Sequence, residues 1–312
     1  MKATTFRFKA ADGAEIFTRK WEEEPSLRQE QTKAVVQLAH GMAEHSGRYD
    51  EFARFLVKNG YIVYTNDHRG HGSTAKSEAE LGFFAEENGF AMVVNDLSLL
   101  TERIKQENPG VPVFLFGHSM GSFLARRYVQ LHGEAISGLL LSGTGGNPGV
   151  LGKIATLFAA KEIRKQGKKG PSQKMDRLLF RTYNRGFSPC RTSFDWLSSD
   201  EKEVDKYVAD PLCGRVMTAG FYYDLLHGLQ RIHQKTEERK VPKSLPVYIF
   251  SGDKDPVGSN AKGVMHVYRN YVKHGLTDIE YKLYPGGRHE MLNEANKQEV
   301  YEDCLRWLDR HV

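Results

Sequence analysis

Hydrophobic and polar positions follow two rhythms along the chain. At the start they alternate. Residues 4–8 and 15–21 read as strands with one covered face, and Ala11-Asp12-Gly13 between them carries the Asp-Gly pair of a tight hairpin. An antiparallel pair is therefore predicted to open the chain. From residue 34 the alternation gives way to short apolar runs at 34–38, 61–65, 113–116, 138–141, 247–250 and 279–284. Most are continuous and rich in β-branched or aromatic residues, as in strands buried on both faces. Amphipathic stretches at 49–58, 90–106, 122–131 and 262–271 lie between them, and 297–310 closes the chain as a helix. Strand and helix in alternation imply right-handed crossovers and a mostly parallel central sheet flanked by helices, an α/β architecture.

Residues 142–245 break the rhythm. A crossover between parallel strands needs only about a dozen residues, and about a hundred stand here. The segment begins as a loop, Gly143-Thr144-Gly145-Gly146-Asn147-Pro148-Gly149, and continues with helical patches and a basic run at 161–169. Residues 145–236 are predicted to form a mostly helical insertion, a cap over the sheet. Residues 1–144 and 237–312 then form the core.

The run at 113–116 passes directly into Gly117-His118-Ser119-Met120-Gly121, and an amphipathic helix follows. Gly-x-Ser-x-Gly between a strand and a helix has the form of a nucleophile elbow. A strained turn lifts the serine hydroxyl above the sheet, and the glycines admit neighbouring backbone. The N-terminus of the following helix favours developing negative charge. Without those flanks the motif would be a tight turn that happens to contain serine. Ser119 is the candidate nucleophile.

A serine hydroxyl attacks only when a base takes its proton. In this architecture the carboxylate and then the histidine follow the serine in chain order. The run at 247–250 leads into Ser251-Gly252-Asp253-Lys254-Asp255-Pro256, at the carboxyl end of a strand, where open α/β sheets bind ligands. Asp253 and Asp255 compete for the role of orienting acid. Asp255 is preferred because it lies further along the loop, and Asp253 is then a turn residue bonding its own backbone. The run at 279–284 ends in Pro285-Gly286-Gly287-Arg288-His289, which puts the base at His289. His118 is assigned to packing, pointing away from the base. His132, His227, His233, His266, His274 and His311 are read as ordinary helix or surface residues.

An ester or amide carbonyl attacked by serine also needs two N–H donors for its oxyanion. Met120, just after the nucleophile, supplies one backbone N–H. The early run at 34–38 ends in Ala39-His40-Gly41-Met42, and the Met42 N–H is the predicted second donor. The chemistry calls for neither a metal nor an organic cofactor.

Composition excludes several classes. The chain has 312 residues, 40% hydrophobic and 27% charged, as a globular protein does. A net charge of +5 without a concentrated basic face gives no reason to expect nucleic-acid binding. The basic run at 161–169 is read as a solvated helix end, with transient contact to anionic membrane head groups as the alternative. Cys190, Cys213 and Cys304 form no CxxC, so neither a zinc site nor a disulfide framework is indicated. The first residues lack the apolar centre of a secretory signal, and no run reaches the roughly 18 apolar residues of a membrane span, so a cytoplasmic protein is expected.

These segments together resemble one family. His40-Gly41-Met42-Ala43-Glu44-His45-Ser46-Gly47-Arg48-Tyr49 is similar to the oxyanion loop of monoacylglycerol lipases and bacterial lysophospholipases, within the wider serine aminopeptidase S33 grouping. Asp67-His68-Arg69-Gly70-His71-Gly72-Ser73, the elbow at Ser119, Asp195-Trp196-Leu197-Ser198 and Asp210-Pro211-Leu212-Cys213 resemble its other motifs. The resemblance implies an α/β-hydrolase fold and supports Asp255 as the acid, three residues after Gly252. It implies hydrolysis of single-acyl lipid esters such as monoacylglycerols or lysophospholipids, with proline aminopeptidase or broad esterase activity as alternatives. It also implies an apolar acyl channel under the cap, for which Phe83, Phe84, Phe158, Phe221, Tyr222 and Tyr223 are the expected lining. A non-enzymatic relative would lack a triad member or the oxyanion loop, and this chain has them all.

Overall fold

In the computed structural model, which describes residues 2–24 and 31–312, the elements follow the two rhythms of the sequence. The opening hairpin is β1 (Lys2–Lys9) and β2 (Glu15–Glu22), paired antiparallel along their full length and turned at Gly13. There follow β3 (Ala34–Ala39), α1 (Asp50–Lys58), β4 (Tyr61–Asn66), α2 (Gly89–Glu107), β5 (Val113–His118), α3 (Met120–His132) and β6 (Gly138–Ser142). Helices α4 (Gly149–Gln166), α5 (Gln173–Phe180), α6 (Glu201–Ala209), α7 (Ala219–Ile232) and the single turn α8 (Lys235–Glu238) fill the long gap. The chain returns through β7 (Val247–Gly252), α9 (Lys262–Lys273), β8 (Ile279–Tyr284) and α10 (Lys297–Asp309).

The eight strands form one sheet in the order β1-β2-β4-β3-β5-β6-β7-β8. β2 meets β4 antiparallel, and every pairing from β4 through β8 is parallel. Alternate residues of the central strands serve opposite faces. In β3, Val35 joins the cluster beneath α2, α3 and α9, whereas Val36 and Leu38 join the one beneath α1 and α10. Both faces are dry, and this is why the strands read as unbroken apolar runs. Gln37 is the polar exception. It donates to the Leu97 carbonyl and accepts from Thr101, so no buried amide group is stranded there. β8 is one of the two edge strands, and only Tyr284 in it is fully buried.

The parallel topology delivers the carboxyl ends of β3, β5, β6, β7 and β8 to one edge of the sheet, where ligands bind in this class of fold. The insertion between β6 and β7 is anchored there. The Trp196 and Leu197 carbonyls accept the backbone N–H groups of His289 and Glu290. The Ala43 carbonyl accepts the N–H of Gly214 and the hydroxyl of Tyr207. Among the described residues, no helix is long and apolar enough to cross a membrane.

Candidate active site

β5 runs into α3 with a single residue, Ser119, between them. Its backbone is at φ 51° and ψ −118°, a strained conformation for a residue with a side chain. Such strain is commonly held at functional positions by the structure around them. Here the Ser119 N–H donates to the Ser142 carbonyl of β6, and the Ser119 carbonyl accepts from the Ser122 N–H and hydroxyl. The flanking glycines are steric necessities. A Cβ on Gly117 would stand 2.5 Å from the Gly121 carbonyl oxygen, and one on Gly121 would stand 2.0 Å from that of Ala39.

His289 follows β8, and its Nδ1–H donates to Asp255 Oδ1 at 3.0 Å. Asp255 also accepts from the Ser251 hydroxyl at 2.9 Å and from the Val257 N–H at 2.8 Å. It is fully buried, and these three donors hold its carboxylate fixed. Burial works against a charged His289, but the charge of Asp255 and its hydrogen bond outweigh it. The imidazole is therefore held above its ordinary pKa. Asp253 is turned elsewhere, and it does not bond its own backbone as expected: its Oδ1 accepts from the Gly286 N–H of the loop after β8, tying the two loops together.

Ser119, Met120, Met42 and His289 line one cavity of about 990 Å³. Among the described residues, no acceptor takes the backbone N–H of Met42 or of Met120. The loop that carries Met42 is tightly held. The His68 N–H donates to His40 Nε2, which leaves the Nδ1–H of His40 to donate to the Gly41 carbonyl. Glu44 Oε1 accepts from the Gly41 N–H at 2.5 Å and from the Tyr49 hydroxyl at 2.7 Å.

An ion network joins this loop to the histidine loop. Arg48 donates to Glu44 Oε2 at 2.7 Å and, in a fork, to the two carboxylate oxygens of Glu290 at 2.6 and 2.7 Å. Its guanidinium stacks over the Tyr207 ring at 4.8 Å. Burial alone would raise both glutamates, yet Arg48 pulls them down, Glu44 to about 2. Glu44 and Arg48 stand four residues apart, but in the loop and 3-10 turn after β3 rather than on one helix, so their spacing is no helical pairing signal in the sequence. Glu290 carried no signal either, because its partner is 242 residues away.

Three expectations about side chains need correction. His118 does not point away from the base: its ring lies 4.8 Å from that of His289, and its Nδ1 meets the Ser142 hydroxyl at 3.2 Å. Burial, reinforced by the charge of His289, pushes it down to about 4, so it stays neutral beside the base. None of the six aromatics expected along a channel lines the cavity. Phe84 and Phe221 stack on each other at 4.5 Å in the core, and the Tyr222 hydroxyl bonds Asp176. Tyr223 stacks on His227, Lys169 lies over Phe83, and Phe158 faces outward. The apolar wall is instead Phe123, Leu179, Phe180, Leu225, Leu226 and Leu229. Helical phase decides this, since α7 presents Leu225 and Leu229 to the cavity and turns Phe221 and Tyr222 inward. Among the histidines set aside, His266 lines the cavity, and His233 and His274 face the buried Glu238.

One trio has metal-ligand chemistry. Atoms of His45, Asp210 and Cys213 lie within 4.8 Å of one another. The Gly47 N–H donates to His45 Nδ1, so the ring proton sits on Nε2 and is given to Asp210 at 2.9 Å. Metal at Nε2 would need that proton on Nδ1, against the Gly47 N–H, and burial pushes the Cys213 thiol up beyond the usual range. The trio therefore serves as a tie between the loop after β3 and the insertion.

Comparison with known proteins identifies the family. The pattern of the serine aminopeptidase S33 family matches residues 30–296. A monoacylglycerol lipase of Mycolicibacterium smegmatis is 29% identical over 284 residues, 90% of this chain and 89% of that protein. The monoglyceride lipase of Homo sapiens is 29% identical over 306 residues, 97% of this chain and 89% of its own length. Among solved structures, a thermostable carboxyl esterase from Bacillus coagulans in complex with glycerol superposes with a TM-score of 0.90 at 28% identity, covering 100% of this chain and 99% of that one. The chain belongs to the serine aminopeptidase S33 family and has the α/β-hydrolase fold.

Proposed function

We propose that the protein is a serine hydrolase of carboxylic esters acting on single-acyl lipids, with Ser119, His289 and Asp255 as its triad. The observation that carries this reading is one cavity holding a strained Ser119, free N–H groups at Met42 and Met120, and a His289 already bonded to a fixed Asp255. Ser119 Oγ attacks the ester carbonyl while His289 Nε2 takes its proton. The Met42 and Met120 N–H groups receive the oxyanion of the tetrahedral intermediate, each worth about 3 kcal/mol to the barrier in comparable sites. His289 then protonates the departing alcohol. Water, deprotonated by the same imidazole, hydrolyses the acyl-enzyme.

The apolar wall of Phe123, Leu225, Leu226 and Leu229 suits an acyl chain. The names of the relatives point to the same substrate class. Residues 145–236 act as the cap that shapes this wall. On α4, Val150, Leu151 and Leu157 are each more than 70% exposed on one face, with Lys153 and Lys161 beside them. That amphipathic face supports transient contact with a lipid surface. A panel of monoacylglycerol, lysophosphatidylcholine, a short nitrophenyl ester and a proline amide tests the reading. Turnover of the long-chain esters is expected. Turnover of the amide alone would assign the site to peptidase chemistry.

A further inference from the structure

We infer that Trp196 is a positioning residue for the base, and that its ring links filling of the acyl wall to the orientation of His289. This rests on the ester-hydrolase reading above. The Asp255 hydrogen bond holds the imidazole at Nδ1 alone, and a ring held at one atom can still tilt about it. Two rings stand against it, His118 at 4.8 Å and Trp196 at 5.1 Å, tilted from its plane by 46° and 38°. Gly143 closes a third approach, since a Cβ there would stand 2.9 Å from His289 Cε1. His118 ends β5 and Gly143 follows β6, so both are set by the sheet. Trp196 alone of the three comes from the insertion.

The backbone around Trp196 is fixed on both sides. The Arg288 guanidinium donates to the Asp195 and Ser198 carbonyls. Glu294 accepts from the Ser199 N–H and hydroxyl and from the Arg288 N–H. The Trp196 N–H donates to Asn184 Oδ1 at 2.9 Å. What sets the indole itself is its ring neighbours. Phe180 stacks on it at 6.3 Å with 19° between the planes, and Tyr183 meets it edge-on at 5.0 Å. All three rings are half-buried and line the main cavity. An acyl chain lying on Phe180 and Tyr183 packs them onto the indole, and the indole onto the imidazole. The acyl group stays attached until water releases it, and both attack and deacylation use His289. Acyl contacts of this kind therefore act on kcat and not only on KM. The Trp196 ring also favours the imidazolium that forms when Ser119 gives up its proton. The other titratable groups facing His289 are Asp255 after β7, His118 on β5, Glu44 after β3, Glu290 and Arg288 on its own loop, and the Tyr183 phenol, which feels the Asp255 charge. Exchanging Trp196 leaves every one of them in place.

Steady-state kinetics on nitrophenyl butanoate and nitrophenyl decanoate test this with the full chain, Trp196→Leu, Trp196→Phe and Phe180→Ala. The full chain should show the higher kcat on the longer ester. Trp196→Leu should lower the long-to-short ratio of kcat about threefold or more. It should also move the acid limb of kcat/KM for the short ester down by about half a pH unit, as loss of a cation–ring contact predicts. Trp196→Phe keeps an aromatic face and should recover most of both. Phe180→Ala removes the ring that Trp196 stacks on, leaves residue 196 in place, and should lower the kcat ratio in the same sense. Ratios and pH midpoints do not depend on the amount of folded protein, and Phe180→Ala carries the test should Trp196→Leu fail to fold. Either quantity unmoved in Trp196→Leu, a Trp196→Phe protein no better than Trp196→Leu, or a Phe180→Ala protein altered in KM alone overturns the inference. Trp196 is then a wall residue only, and the ester hydrolase stands. Failure on both esters with turnover of the proline amide overturns the underlying reading instead.

Discussion

Replacing Arg48 by Met strikes the two loops that frame the proposed site at once. The substitution keeps much of the volume and removes the guanidinium held by Glu44 and Glu290. Their side chains are only 3% and 6% exposed, so two carboxylates would share a dry site without their cation. Removing one partner of a buried pair costs about 3–5 kcal/mol. Glu44 keeps the Gly41 and Tyr49 donors and Glu290 keeps the Asn293 amide, which favours the lower end, about 3 kcal/mol. Against a typical stability of about 5–15 kcal/mol this is a large fraction. At about 2–4 °C per kcal/mol for chains somewhat shorter than this one, the unfolding midpoint should fall by roughly 6–12 °C. The sign with pH is specific. Both glutamates have depressed pKa values in the folded protein, so their stabilisation is full above the unfolded carboxylate value and is lost as pH falls through the folded one. In the variant the carboxylates repel, a proton relieves them, and the deficit should shrink at mildly acidic pH. Thermal unfolding followed by circular dichroism at neutral and mildly acidic pH measures this. The double variant Arg48→Met/Glu290→Gln should recover part of the loss, because one of the stranded charges is gone. A midpoint unchanged by Arg48→Met, or a deficit that grows on acidification, would refute the reasoning.

Two further outcomes are expected. His289 must be neutral to act as base, and its pKa is raised, so kcat/KM should decline on the acid side with an apparent pKa above the ordinary imidazole value of about 6.5; a pH-rate profile with its acid limb below that value contradicts the Asp255–His289 pairing. Replacing Leu151 and Leu157 together by Gln on the exposed face of α4 should weaken partition onto anionic lipid vesicles by about tenfold or more, since burying a leucine is worth about 1.5–3 kcal/mol; co-sedimentation with vesicles measures it, and equal partition of variant and parent removes α4 from the contact.

Much of the fold could be read from apolar periodicity, and the errors have a common cause. The runs at 61–65, 113–116, 138–141 and 247–250 each stop short of the observed strand. The missing residues, Asn66, Gly117 with His118, Ser142 and Ser251 with Gly252, pair in the ladder but carry polar or absent side chains. They sit at the carboxyl ends, where side chains serve the site edge and its loops rather than the core, so hydrophobicity cannot mark them. The residues proposed for the triad were legible because strand ends and chain order constrain them. Asp255 over Asp253 agrees with the hydrogen bonds. The aromatic lining was misassigned because a single sequence does not give the phase of α7 against the sheet. Glu290 and the approach of His118 to His289 were invisible for a related reason: both contacts join segments that only the folded sheet brings together.

The most direct test of the nucleophile is covalent. The protein, incubated with a long-chain fluorophosphonate probe, digested and mapped by mass spectrometry, should carry the label on Ser119, and Ser119→Ala should lose both the label and ester turnover while keeping the parent's unfolding midpoint. Undiminished labelling or turnover in a folded Ser119→Ala protein would contradict the assignment.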